Sequence, residues 1–242
     1  MKYVLSSSLF VIVLVIVLFP FNIMNATPLK FNYGEIPFGK SVNMVLNSVY
    51  GADIQKVSTN IEFLHNYQGF LEKYFNGGFY TASGQGAELL GQVIIVYRVT
   101  YKGWDNVAWI DLFFTKGYKA KDDDYGLFMV IKEEKNTSAP FEDVFKSYSA
   151  AITDVLKTRP QIIKYRYQIK PKDTPEPAIM GEWIMQAEQV FLLLHNEIIA
   201  SSAPIIIYRN NQGWQKYLVA CDTAEQERKR TIENKIKKNF LV

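Results

Sequence analysis

The chain has 242 residues, of which 48% are hydrophobic and 14% aromatic, so it can bury a core and is not disordered as a whole. Its formal net charge of +3 is too small for a nucleic-acid binder, whose affinity depends on a strongly basic surface. The single cysteine, Cys221, excludes an intrachain disulfide and a cysteine-based metal cluster, and we expect it to be buried near the end of a strand.

The first 26 residues have the pattern of a secretory signal peptide. Lys2 supplies a positive charge, residues 9–19 form an unbroken apolar run, and Ala26 offers a small residue for cleavage. Cleavage there would leave residues 27–242 as a single mature domain. The alternative is an uncleaved anchor formed by residues 4–24, which are just numerous enough to cross a bilayer. We therefore predict an exported protein, periplasmic or extracellular, with membrane attachment only through an uncleaved leader.

The first half of the mature chain predicts a strand, a helix and a meander. Residues 29–33 alternate like a strand, and Ser41 is placed to cap a helix that follows. Residues 54–63 fit a strand, and residues 67–75 fit either a short helix or another strand. The clearest signal is residues 93–114, where two β-rich runs enclose a glycine-containing turn and predict an antiparallel hairpin. Residues 125–131 predict a third strand beside it.

The second half predicts a helix, further strands and a last helix. A helix opens at Pro140, with an apolar stripe formed by Val144, Tyr148, Ala151 and Val155 and widened by Phe145, Ile152 and Leu156. Residues 162–169 alternate like a strand, and four short runs (179–185, 190–195, 204–208 and 214–220) predict a second meander. The last helix is predicted to begin near Thr223, which opens a capping box. Its trailing lysines suit the helix dipole.

This order of elements predicts an α+β fold of antiparallel meander sheets with a few helices on one face. The halves, about 27–135 and 136–242, would form a loose two-fold repeat of a helix-plus-meander unit. The entry Ile36-Pro-Phe-Gly-Lys-Ser41, between a strand and a helix, resembles the start of uncharacterised exported bacterial α+β proteins. The resemblance implies export and a binding-type fold, and carries over no site residue.

Residues suited to catalysis or metal binding are scarce. The two histidines, His65 and His195, lie in apolar runs, so we expect strand-edge or partly buried histidines rather than a base or a zinc site. The adjacent carboxylates of residues 122–124 lack the alternating spacing of a calcium loop. Glu133 and Glu134 are expected to face solvent. We predict no catalytic residue, no metal and no cofactor.

One stretch fits the phosphate-loop pattern literally, because Gly34 stands five residues before Gly39, and Lys40 and Ser41 follow Gly39 directly. Pro37 removes an N–H group that such a loop uses, and its neighbours are bulky. No alternating parallel βαβ pattern follows. Nucleotide binding is therefore a minor alternative.

Aromatic residues at or near turns are the remaining candidates for a site. Trp104, Tyr118, Tyr125 and Trp214 would form a recognition rim, or would pack on their own sheet. We predict a non-catalytic exported protein that binds a macromolecule or a cell-envelope component, of unknown identity. The alternative is a hydrolase whose site is assembled from dispersed residues such as His65, His195 and the acidic loop. Asp111, between Trp109 and Phe113, raises the further question of whether it points inward and is paired.

Overall fold

A computed structural model describes residues 34–49, 51–75, 86–101, 107–120, 124–135, 141–167, 176–194 and 204–240. The leader and the predicted strand 29–33 lie outside these ranges. The described helices are α1 (Val42–Asn47), α2 (Ile61–Phe75), α3 (Gly86–Val93), α4 (Phe141–Leu156) and α5 (Asn211–Phe240). The described strands are β1 (Asp53–Lys56), β2 (Ile94–Thr100), β3 (Val107–Thr115), β4 (Gly126–Glu134), β5 (Gln161–Tyr167), β6 (Glu176–Ile184), β7 (Glu188–Leu194) and β8 (Ile205–Asn210).

The strands form one antiparallel sheet in the order β1-β2-β3-β4-β8-β7-β6-β5. The predicted hairpin is confirmed, because β2 pairs antiparallel with β3. Two four-stranded meanders, β1–β4 and β5–β8, join through the pairing of β4 with β8. The α+β class with an antiparallel meander is thus confirmed, and both meanders belong to a single sheet. The proposed two-fold repeat stays a prediction.

Helices cover both faces of this sheet, whereas the sequence analysis placed them on one. Alternating residues of β2 show the arrangement, since Ile94 and Val96 pack with α2, α3 and α5 while Ile95 and Val99 pack with α1. We call the first side face A and the second face B. On face B, α4 covers the second meander through Val144 and Phe145. Strands buried on both sides explain why β2 to β4 and β7 read as nearly continuous apolar runs.

The helix α4 lies where the sequence predicted it, with a shifted buried stripe. Val144 and Phe145 are buried, and Tyr148, Ile152 and Leu156 are partly buried. Val155, assigned to the stripe, is 64% exposed. The indole N–H of Trp183, on β6, donates to the hydroxyl of Thr153 at 3.1 Å and fixes the helix to the sheet.

The helix α5 corrects two predictions. Residues 214–220 were expected to form a strand, and a helix was expected to begin near Thr223; both are wrong, because one helix runs from Asn211 to Phe240. The cap is Asn210, whose side-chain oxygen accepts the N–H of Gly213 at 2.9 Å. Thr223 lies in mid-helix and donates its hydroxyl to the carbonyl of Val219 at 2.8 Å. No helix within the described ranges combines the length and hydrophobicity needed to span a membrane.

Candidate functional site

A cleft of about 490 Å³ lies on face B, between α4 and the seam at which the two meanders join. The helix contributes Tyr148, Ala151, Ile152, Val155 and Leu156, and the sheet contributes Lys132, Glu134, Val190, Ile206 and Tyr208. The sheet residues come from β4, β8 and β7, and β4 lies beside β8 only because the two meanders pair edge to edge. Its size and mainly apolar lining, with a few converging polar groups, are typical of a small-molecule site.

An ion pair forms the polar part of the cleft. The Nζ atom of Lys132 lies 2.7 Å from a carboxylate oxygen of Glu134, and their side chains are 21% and 5% exposed. Glu133 and Glu134 were expected to face solvent, and that prediction is wrong because both are buried. They alternate along β4, so Glu134 shares face B with Lys132 and Glu133 faces the opposite side. A half-buried lysine in an apolar cleft offers one charged contact to an anionic group.

Two tyrosines border the same cleft. Burial raises the pKa of Tyr208 to about 12, and the negative charge of Glu134 acts in the same direction. Burial and the charge of Glu134 also raise the pKa of Tyr148. Both phenols therefore stay protonated throughout the neutral range, and each can donate one hydrogen bond. The cleft thus combines apolar walls with a cation, a carboxylate and two neutral hydroxyl donors.

A second polar cluster is closed and lies on face A. Arg98 and Asp111 face each other across β2 and β3, and the guanidinium donates two hydrogen bonds of 2.8 Å to the carboxylate. Asp111 is 1% exposed. The hydroxyl of Tyr67, on α2, donates to the same carboxylate, and burial followed by the charge of Asp111 raises its pKa well above the usual range. Asp111 therefore points inward and is fully paired, as part of the core rather than a ligand site.

A third cluster surrounds Arg209 at the end of β8. Its guanidinium carbon lies 4.6 Å from the ring centre of Trp214, 4.9 Å from that of Phe191 and 5.1 Å from that of Phe75. The group also donates to the side-chain oxygen of Gln189. Burial lowers the pKa of Arg209 to about 10, although the charge of Glu182 raises it. Three rings and one amide hold this cation in place.

The structure does not bring the proposed recognition rim together among the described residues. Trp214 is buried on face A against Arg209, and Tyr125 is buried on face B. Tyr118 is partly buried against the face A core, and its ring centre lies 5.2 Å from Nζ of Lys119. Trp104 lies outside the described residues. The rim stays a prediction, and for Tyr125 and Trp214 the burial favours the alternative of packing on their own sheet.

The residues of the hydrolase hypothesis are only partly visible. His65 is exposed on α2 rather than at a strand edge, and it does not line the face B cleft. His195, Asp122 and Asp123 lie outside the described residues, so their convergence stays a prediction. Within the described part of the chain, no cluster of three or more histidine, cysteine, aspartate or glutamate side chains could hold a metal.

The loop that matches the phosphate-loop pattern uses its N–H groups within the protein. The N–H of Gly39 donates to the carbonyl of Leu127 at 2.8 Å, and that of Lys40 donates to Pro37 at 3.2 Å. Gly34 and Gly39 have φ values of 82° and 77°, so the glycines serve the turn. Ser41 makes no side-chain cap and bridges to Gly126. These contacts point the backbone donors away from any bound phosphate.

Cys221 is buried, as expected, but in the middle of α5 rather than near a strand end. Burial raises the pKa of its thiol to about 12, against a weaker opposing effect of Tyr217. An unfolded chain releases the thiol proton from about pH 8.5, whereas the folded chain keeps it. The stability that the buried thiol contributes is therefore fully present below about pH 8.5, and it is lost as the pH rises towards the pKa of the folded state.

We expect the wild-type chain to lose about 1.2 kcal/mol more of its free energy of unfolding than Cys221→Ala between about pH 9 and pH 10. Urea unfolding at each pH measures the two slopes. The range ends at about pH 10, where the tyrosines of the unfolded chain are about half ionised. If the free energies of unfolding of the two chains changed equally with pH, the thiol would have the same pKa in the folded and unfolded states.

The cleft on face B had no signal in the sequence analysis. Lys132 and Glu134 stand two apart on a strand, which puts them on one face, but a charged strand end reads first as solvent-exposed. Their burial follows from the pairing of β4 with β8, a contact between residues far apart in the chain.

Comparisons with protein-family models, with curated proteins and with solved structures gave no match to this chain.

Proposed function

We propose that this chain is an exported, non-catalytic binding protein whose face B cleft holds the apolar part of an amphiphilic component of the cell envelope. The observation that carries the proposal is the cleft itself, about 490 Å³ of mainly apolar space beside α4. The leader expected at residues 1–26 would bring the chain to the compartment that contains such molecules.

The chemistry of the lining defines the ligand class. Ile152, Leu156 and Val190 offer an apolar wall that gains free energy by excluding water from an alkyl chain. Lys132 is one-fifth exposed beside Glu134, so its ammonium group can also contact an anionic head group. The protonated hydroxyls of Tyr148 and Tyr208 add donors. A long-chain carboxylate has both features.

We expect the purified chain to bind dodecanoate in a calorimetric titration, and Val155→Gln to weaken that binding by about tenfold, because a polar group enters the apolar wall. Val219→Gln is the matched control. Val219 has nearly the same exposure, 65% against 64%, and also lies on a helix surface, but it is not part of the cleft. Neither substitution should change stability by more than about 0.5 kcal/mol, since both positions are exposed.

Absence of heat with dodecanoate, together with unchanged thermal unfolding in its presence, would contradict the proposal, since a ligand that binds the folded state raises stability. Equal weakening by Val155→Gln and Val219→Gln would show that dodecanoate adheres to exposed apolar side chains in general. Loss confined to Val155→Gln supports the cleft.

A further inference from the structure

The end of α5 extends past the rest of the described structure. The ion pair between Lys119 and Glu227 is the last described contact that joins this helix to another element. From Lys229 to Asn239, a segment we call the C-terminal extension, every side chain is exposed. Ile232 and Ile236 are 42% and 50% exposed there. Earlier in the same helix, Trp214, Tyr217 and Cys221 are buried against the sheet.

The two isoleucines form a short apolar stripe with basic margins. They stand four residues apart, which puts them on one side of the helix. Lys229 stands three residues before Ile232 and Lys235 three residues after it, so one lysine borders each side of the stripe around the helix. A stripe of this kind is costly to leave in water unless another surface covers it part of the time.

The charge of the C-terminal extension is strongly one-sided. It carries five basic side chains and one carboxylate, that of Glu233. The helix dipole accounts for Lys237 and Lys238, which lie in the last turn, but not for the basic residues further back. The helix begins at Asn211, so Glu225 and Glu227 are not in its first turn. Glu225 is already engaged by Arg228 at 2.7 Å, with Nζ of Lys229 at 3.7 Å, and Glu227 is engaged by Lys119.

We propose that the C-terminal extension docks on an anionic lipid surface. Its basic side chains would contact lipid phosphates, and Ile232 and Ile236 would enter the boundary between head groups and acyl chains, as in interfacial amphipathic helices. The apolar stripe among the cations favours a bilayer over a nucleic acid, which binds basic residues but offers no apolar layer to isoleucine. This inference is independent of the face B cleft, since α5 contributes no residue to it.

The test is co-sedimentation of the full-length chain with vesicles of phosphatidylcholine alone or with about one-third phosphatidylglycerol. We expect binding to the anionic vesicles that falls at high salt, and a loss of about fivefold per basic residue removed, or about 25-fold for Lys229→Ala with Lys235→Ala. Alanine preserves the helix. Lys40→Ala with Lys146→Ala is the control, because it removes the same charge from exposed positions elsewhere. All chains share the leader, so differences between them report the substituted sites.

A further double variant tests the contribution of the apolar stripe alone. Ile232→Gln with Ile236→Gln keeps both the charge and the helix-forming tendency, and should also reduce binding to anionic vesicles. Equal binding to both vesicle types, or equal losses from the two double-lysine variants, would overturn the proposal. The proposal would also be overturned if the chain did not bind vesicles and its molar mass in solution rose with protein concentration. That result would assign the stripe to contact with a second copy of this chain.

Discussion

Asp111→Ala is expected to lower the free energy of unfolding by about 3 kcal/mol or more, because it leaves one partner of a buried ion pair uncompensated. Arg98 would retain a guanidinium that is only 24% exposed and that lies 4.6 Å from the ring of Trp109. The hydroxyl of Tyr67 would lose its acceptor in the same step. Each loss leaves a polar group in the core without the hydrogen bonds that water would provide.

Urea unfolding of the purified variant measures this change, and Asp154→Ala is the matched control. Asp154 also pairs with a basic residue, Lys157 at 2.6 Å, but the two side chains are 82% and 76% exposed. Exposed pairs contribute little, so this control should change stability by less than about 0.5 kcal/mol. Similar effects of the two substitutions would mean that burial does not increase the contribution of the Asp111 ion pair to stability.

A double variant separates the contribution of the pair from the cost of breaking it. Arg98→Met with Asp111→Leu replaces both charges with apolar side chains of comparable length, and such replacements are often neutral or stabilising. We expect it to recover at least half of the stability that Asp111→Ala loses. A double variant as unstable as Asp111→Ala would show that the shape of the cluster, and not its charge balance, supports the packing of α2.

The sequence indicated most of the first meander because its signals were local. The alternation along β2 and β3 and the glycine-containing turn predicted the hairpin, and Asp111 was recognised as its inward candidate. The partner Arg98 was not identified, since the pairing depends on the register of β2 against β3. A register shift by one residue would move Asp111 to the other face, and nothing local in the sequence excludes that shift.

The failures come from long-range pairing and from ambiguous periods. The face B cleft needs β4 beside β8, and no local pattern specifies that contact. In α5 the run 214–220 contains Trp, Tyr, Leu and Val, which favour strands. The buried positions Trp214, Tyr217, Cys221 and Ala224 nevertheless recur every three or four residues, which is helical spacing. This spacing continues past Thr223 without a break, and it would have revealed a single helix.

Gly213→Ala is expected to destabilise the protein by about 2–3 kcal/mol, although alanine is the better helix former by about 1 kcal/mol. A Cβ atom at Gly213 would lie 2.5 Å from Cβ and 3.1 Å from Cα of Phe128. Both atoms belong to the backbone or its first branch, so no rotamer change can relieve the contact. The whole of α5 would have to move away from β4.

The close approach follows from an irregularity in β4. Phe113 pairs with Met129 and Phe114 with Leu127, so Phe128 has no partner on β3 and forms a bulge. Phe128 joins Met129 on face A, where its ring stacks with that of Tyr217 at 5.3 Å. Glycine at 213 lets the first turn of α5 settle on the bulge. The bulge and the glycine thus form one packing unit.

Gly69→Ala supplies the control, with an effect of opposite sign. Gly69 lies in the interior of α2 and is exposed, and no atom lies within 4 Å of its added Cβ. Alanine there should stabilise the protein by about 0.5–1 kcal/mol through helix propensity alone. Thermal and urea unfolding of the two variants should therefore move in opposite directions from the wild type. If both substitutions stabilised the protein, α5 could move away from β4 without a loss of stability. Gly213 would then not determine how closely this helix packs on β4.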